Sequence, residues 1–306
     1  MSETTLALIN FPPALRDWIT QGLQRGGAPG EMAQALASQG YDPLVARELV
    51  AAFERAYRDG APLPRNSITV SRGKPTAPGV RLARLGRGTL LGATDREVRV
   101  LSRMDNPAVA VLEGVLSHDE CDALVAMAQP RLVPSTTVDP STGFTVVSDE
   151  RTSHGMFFRL QENALVARID QRISALMRLP VENGEGLQVL RYGVGAQSTP
   201  HYDFLMPTNA ANRASLARSG QRVSTLVVYL NDVDAGGETT FPEIGFAVSP
   251  RKGNAVYFEY CDAAGQLDGR TLHAGAPVQA GEKWVVTKWM RQRRFVPAGG
   301  KDRVSS

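Results

Sequence analysis

Residues 187–204 read LQVLRYGVGAQSTPHYDF, and the fold turns on how that stretch is read. An apolar strand pattern through Tyr192 runs into a glycine-containing turn and then delivers His201 and Asp203, two residues apart. In an extended segment side chains alternate between faces, so residues i and i+2 point the same way. An imidazole and a carboxylate held side by side form two thirds of a metal site. Taken alone the pattern is unspecific, because His-x-Asp pairs also arise by chance on protein surfaces.

The third ligand has few sources, since the chain holds histidine only at 118, 154, 201 and 273. His118 lies inside Ser117-His118-Asp119-Glu120, which has the spacing of a helix capping box and gives it a solvated helix-start role. His273 follows an apolar strand region, seventy residues after Asp203. Two histidines and one carboxylate, arranged as His-x-Asp with a distant His, are the ligand set of a facial triad. Such a set leaves coordination positions open and suits Fe(II) in oxygen chemistry.

Ten residues beyond His273, the run Lys283-Trp284-Val285-Val286-Thr287-Lys288-Trp289 has strand character. Alternation puts Lys283, Val285, Thr287 and Trp289 on one face. A lysine on an apolar inward face is costly unless it meets an anion, and a dicarboxylate cosubstrate would supply one. The alternative is a lysine that snorkels to solvent at a strand start.

Further strand patterns cover 187–192, 223–230, 255–260 and 284–290, so everything after residue 187 reads as strands and turns. Upstream, an apolar strand at 108–112 precedes two helices, one carrying Cys121, Leu124, Val125 and Met127, the other Leu165, Val166, Ile169, Ile173 and Leu176. Short strands preceded by helices predict a β-sandwich or barrel with helices packed outside.

Three helical patterns fill the N-terminal part: Leu15–Leu23, a second around Met32–Leu36 closed by Gly40, and a third opened by Asp42 and Pro43. The passage ALASQGYDPLVARELV (35–50) resembles a ubiquitin-associated-type three-helix domain, which would recruit a protein partner. The other reading is a helical hairpin packed on the main domain. Residues 59–105, with prolines at 62, 64, 75 and 78 in a Gly- and Arg-rich run, read as a linker with one or two short strands.

At 306 residues, 42% hydrophobic and 21% charged, the chain has the composition of a soluble globular protein. A net charge of +3 gives no footing for nucleic-acid binding, and no apolar run reaches membrane-spanning length. The two cysteines, Cys121 and Cys261, form no disulfide framework. Met1–Trp18 makes a poor signal peptide, so a reducing cytoplasm is the expected location.

The segments RTSHGMFF, LPVENGEGLQVLRYGVGAQSTPHYDF, VSTLVVYLNDV with GGETTFP, GNAVYFEY and LHAGAPVQAGEKWVVTKWMRQ, in that order, resemble the prolyl 4-hydroxylase family of 2-oxoglutarate- and Fe(II)-dependent dioxygenases. The resemblance covers about residues 107–295. It implies an α+β protein with a double-stranded β-helix (jelly-roll) core and flanking helices, plus the small N-terminal helical module. The expected organisation is a helical module at 1–58, a linker at 59–105, the dioxygenase domain at 106–298 and a tail at 299–306.

The same resemblance implies that His201, Asp203 and His273 bind Fe(II), and that Lys283 pairs with the far carboxylate of 2-oxoglutarate beside Tyr192 and Thr239. It also implies O2 as oxidant, ascorbate as reductant and, as substrate, a proline in a protein or peptide. Arg222 and Trp289 match residues of the family's peptide-proline pocket; their structural alternatives are a surface arginine and a core tryptophan. Segments 134–149 and 205–220 fall where the family has mobile loops over the peptide. Ser198 stands where many members carry an aromatic residue of the substrate pocket, and His154 where plant-like members have a small one. Ser198 therefore bears on substrate choice and not on the oxidative chemistry, the alternative being the same chemistry on a free amino acid or another side chain. A rival of a different class is a binding protein in which the helical module recruits a partner and the jelly-roll is catalytically silent.

Overall fold

In the computed structural model the described residues are 5–41, 43–72, 84–138, 145–147, 153–207, 210–261, 265 and 267–298. Strand β1 (Thr5–Asn10) leads into α1 (Pro13–Gln24), α2 (Pro29–Ser38) and α3 (Pro43–Asp59), and β2 (Ser67–Arg72) returns to pair antiparallel with β1. The three expected helices are present; the proposed cap Asp42 lies outside the described residues. The module is larger than its helices, because the segment read as the start of a linker folds back as β2.

Leu15, Ile19, Leu36, Leu49, Val50 and Phe53 are buried, the apolar stripes of the three helices meeting one another. Gly40 adopts φ +94°, and a Cβ there would collide with the carbonyl oxygen of Gly265. Glycine thus both ends α2 and lets the module approach the main domain closely.

The main domain begins with β3 (Leu90–Gly92), β4 (Glu97–Asp105), β5 (Ala108–Glu113) and α4 (His118–Ala128). It continues through β6 (Val133–Pro134), β7 (Thr136–Val138), β8 (Thr145–Val147), β9 (His154–Phe157), α5 (Ala164–Met177), β10 (Gln188–Tyr192) and β11 (Ser198–His201). Then come α6 (Ala210–Ser219), β12 (Arg222–Tyr229), β13 (Ala235–Gly236), β14 (Thr239–Phe241) and β15 (Phe246–Val248). Strands β16 (Ala255–Glu259), β17 (His273–Gly275), β18 (Val278–Ala280) and β19 (Lys283–Arg291) complete it.

Among the described residues a nine-stranded antiparallel sheet runs β3-β4-β5-β16-β12-β19-β10-β9-β6, and a four-stranded one runs β11-β17-β14-β15. Phe241 of the small sheet packs edge-on against Phe258 of the large one at 5.2 Å, so the two sheets close on a shared core. This is the expected double-stranded β-helix. Strands β3 and β4, from the segment read as linker, extend its large sheet.

Two expectations change. Residues 205–220, read as a mobile loop for their Ser, Thr, Asn and Gly, contain helix α6, so the C-terminal part is not strands alone. AANRASLARS has enough Ala, Leu and Arg to form a helix but too few apolar positions to show a helical period. Of 134–149, Pro134 ends β6, Ser135 follows it, 136–138 and 145–147 form the paired strands β7 and β8, and residues 139–144 and 148–149 lie outside the described residues.

The capping box at α4 is present: Ser117 Oγ accepts from the Glu120 backbone at 3.1 Å, and Glu120 accepts from Ser117 N at 2.9 Å. Glu120 does more than cap. Arg172 of α5, fully buried, donates to both its oxygens at 2.7 and 2.8 Å and reaches Asp95 as well. Burial pushes the Glu120 carboxyl upward, but the Arg172 and Ser117 contacts outweigh it and hold it at about 2.

Candidate active site

β11 ends at His201 and β17 begins at His273, and these two residues are direct partners across the strand pair. Their rings lie 4.4 Å apart, and Asp203 follows two residues past the end of β11. The ligand-type atoms of His201, Asp203 and His273 all fall within 4.8 Å of one another. Among the described residues this is the one such cluster. His154 is exposed on β9 and His118 is exposed at the start of α4; neither joins it.

The hydrogen bonds test whether the cluster fits a metal. His201 Nδ1 lies 2.8 Å from the Thr199 carbonyl and His273 Nδ1 lies 3.0 Å from the Thr271 carbonyl. A carbonyl can only accept, so each Nδ1 carries the proton and each Nε2 keeps its lone pair. Those Nε2 atoms face the carboxylate, His201 at 3.9 Å from Oδ1 and His273 at 3.6 Å from Oδ2 of Asp203. Backbone-anchored imidazoles whose Nε2 lone pairs converge on one carboxylate are the donor set of a non-haem iron site.

Asp203 is itself held. Burial alone would raise its pKa, but His273, His201, Arg222 and the Thr225 hydroxyl outweigh that and keep it below the usual carboxylate range. Thr225 Oγ1 donates to Asp203 Oδ2 at 2.7 Å and lies 3.0 Å from the Tyr260 hydroxyl. Thr225 has one proton and spends it on the carboxylate, so the second contact runs from Tyr260 to Thr225. Both residues are fully buried, and neither was singled out in the sequence, where nothing in their local spacing links them to Asp203. Thr225→Val, which preserves shape and removes the donor, is expected to weaken metal binding by about tenfold or more. Titration of the purified variant with Fe(II) or Co(II) measures this; wild-type affinity would remove Thr225 from the support of Asp203.

A cleft opens from this cluster between the sheets, walled by residues of both. Lys283, Val285, Thr287 and Trp289 all line it, which is the face that strand alternation assigned them. Every residue of β19 is buried, because its other face packs under α5, where Lys288 donates to Asp170 at 2.7 Å.

Lys283 is 4% exposed and, among the described residues, has no carboxylate or hydrogen-bond partner. It does not snorkel. Burial pulls its ammonium down to about 8, with partial relief from the charge of Glu238. The Nζ sits 5.6 Å from the Tyr192 ring and 5.8 Å from the Tyr229 ring. Tyr229 donates to Thr239 Oγ1 at 2.8 Å, leaving the Thr239 proton for a ligand in the cleft. Tyr229 was missed in the sequence, lying as it does inside an apolar strand with the look of core.

Arg222 and Trp289 come together beside the cluster, the guanidinium 4.1 Å above the indole ring. Arg222 also donates from Nε and Nη2 to the two oxygens of buried Glu185 at 2.7 and 2.9 Å, and from Nη1 to the Asp203 carbonyl at 3.3 Å. It is therefore a clamped, mostly buried arginine and not a free surface one. The indole N–H of Trp289 is buried without a partner among the described residues. Ser198 is buried on β11 opposite Gly275 and lines the cleft.

Residues 187–291 match the family described as the 2OG-Fe(II) oxygenase superfamily. Jelly-roll, triad and buried lysine together define an Fe(II)- and 2-oxoglutarate-dependent oxygenase. Over 203 residues the chain is 43% identical to prolyl 4-hydroxylase 1 of Arabidopsis thaliana, covering 61% of this chain and 70% of that one. Prolyl 4-hydroxylase 5 of the same plant is 37% identical over 235 residues, covering 71% and 78%. The chain belongs to the prolyl 4-hydroxylase family. Among solved structures, the viral collagen prolyl hydroxylase of Paramecium Bursaria Chlorella virus-1 in its 2OG complex aligns with TM-score 0.48 and 29% identity, covering 60% of this chain and 95% of that one.

Proposed function

We propose that this protein hydroxylates a prolyl residue in a protein or peptide, using 2-oxoglutarate and O2 with ascorbate as reductant. His201, Asp203 and His273 hold Fe(II). The bound iron supplies the oxidation of an unactivated C–H bond, with 2-oxoglutarate converted to succinate and CO2. Lys283 takes the far carboxylate of 2-oxoglutarate, Thr239 donates to the same group, and Tyr192 walls the ammonium. The observation that carries the reading is the ammonium of Lys283, buried in the same cleft as the triad with no carboxylate or hydrogen-bond partner among the described residues: a dianion would satisfy it.

Arg222 and Trp289 form the substrate side. The Glu185 clamp fixes the Arg222 plane over the indole, and the orphaned Trp289 N–H is a donor for a substrate carbonyl. Ser198 leaves room where an aromatic residue would otherwise narrow the pocket, which favours a second reading with the same chemistry on a free amino acid or another side chain.

Incubation with Fe(II), 2-oxoglutarate and ascorbate separates the two. A proline-containing peptide is expected to gain the mass of one oxygen on its proline with stoichiometric succinate. A product from free proline alone would sink the peptidyl reading.

A further inference from the structure

A second cleft, of about 560 Å³, lies between the end of α2 and helix α6, with Gln39 and Gly40 on one wall and Arg213, Leu216 and Arg293 on the other. Its base is Gln221, the residue before Arg222. No Asp or Glu occurs between Phe204 and Asp232, nor between Lys283 and Asp302, and these two segments supply the α6 wall. They do supply four exposed arginines: Arg213, Arg218, Arg293 and Arg294.

Three of these arginines tie the wall together through backbone carbonyls, Arg213 to Pro207, Arg218 to Val296, and Arg293 to Leu216 and Ala217. Each such contact uses part of a five-donor guanidinium and none of its charge. Among the described residues none of the four is paired with a carboxylate. In a chain with 34 basic and 31 acidic side chains, that is a local concentration of charge and not a uniform excess.

The cleft is joined to the metal site by one loop. Leu205 exchanges two hydrogen bonds with the Gln221 side chain, at 2.7 and 2.8 Å, and Asn212 of α6 donates to the Met206 carbonyl at 2.8 Å. From the other side Tyr41 of the helical module donates to Met206 Sδ at 2.8 Å. Leu205 and Met206, just past Asp203, are thus hydrogen-bonded to Gln221 and α6, which line the basic cleft.

We propose that this cleft is an exosite that takes an acidic segment of the protein substrate while the target proline occupies the metal cleft. The proposal rests on the peptidyl reading above. Gln221, adjacent to Arg222 in the chain, lines the second cleft with Arg213 and Arg293, so a substrate segment continuing past Arg222 is directed toward that cleft. Glutamate or aspartate side chains there find guanidinium groups that no carboxylate among the described residues neutralises, and the polar end of α2 forms the opposite wall. The same charge also raises the rate at which an acidic substrate is captured, an effect that salt suppresses.

The test compares three proline peptides that differ only in flanking residues: acidic, neutral and basic. The acidic peptide is expected to show kcat/KM about three- to tenfold above the neutral one through a lower KM, with the advantage shrinking at high salt. Arg213→Glu with Arg293→Glu is expected to reverse the order, so that the basic-flanked peptide becomes the better substrate, with kcat on the neutral peptide unchanged. A folding defect would depress all three peptides together and could not invert their order. Equal kcat/KM for all three in the native protein, or an order unchanged by the charge swap, overturns the exosite while leaving prolyl hydroxylation intact. Binding of labelled acidic peptide, read by fluorescence anisotropy, tests the surface independently of turnover. Equal affinity of native and swapped proteins for it likewise rejects the proposal.

Discussion

His201→Ala is expected to abolish turnover, with no succinate formed above background, and to cost most of the Fe(II) affinity. Two remaining donors hold Fe(II) poorly, and the Nε2 removed is one of only two imidazole nitrogens facing Asp203. His201 is the most exposed of the three clustered residues, with its side chain 36% accessible against 5% for Asp203. Its loss therefore opens little buried space, and apo thermal stability should stay near the native value. Metal titration alongside succinate release separates loss of iron from loss of fold. Turnover retained in this variant would refute the triad.

Lys283→Ala is expected to raise the 2-oxoglutarate requirement by about two orders of magnitude or more, since removing one member of a buried ion pair typically costs about 3–5 kcal/mol. The iron affinity should be little changed, which distinguishes this variant from His201→Ala. An unaltered apparent KM for 2-oxoglutarate would rule out the anchor role.

A pH signature follows from the ammonium's lowered pKa. In the free protein Lys283 is held at about 8, so 2-oxoglutarate affinity should fall as pH rises through that value, and Lys283→Ala should lack this limb. Folding stability responds with the opposite sign. Between about 8 and the ordinary lysine value of 10.5 the unfolded chain binds the proton that the folded protein has released. Stability of the cosubstrate-free protein therefore gains a favourable contribution as pH rises across that window. Calorimetric unfolding of native protein and variant over this range reads it directly.

Helical and strand periods made the architecture legible wherever one face of an element is apolar. The caps of α2 and α4, the faces of α4 and α5, and the inward row Lys283-Val285-Thr287-Trp289 are all local patterns, and all are present in the fold. Elements without such a face were not legible. Helix α6 has almost no apolar stripe, and β1 is defined only by its partner β2, more than fifty residues away.

The candidate site divides along the same line. By itself the sequence determined which residues have ligand chemistry, because His-x-Asp, a distant His and a lysine on an apolar strand face are properties of residue type and spacing. Only the tertiary structure decided that His201 and His273 are paired across two strands with their Nδ1 atoms tied to carbonyls. It alone joined Tyr260 through Thr225 to Asp203, clamped Arg222 on Glu185, and tied Leu205 to Gln221 in the lining of a basic cleft. The physical reason is range: hydrogen bonds and ion pairs act over a few ångströms in space, and those that complete this site join residues tens of positions apart. A linear pattern carries no record of which distant strand will supply the partner.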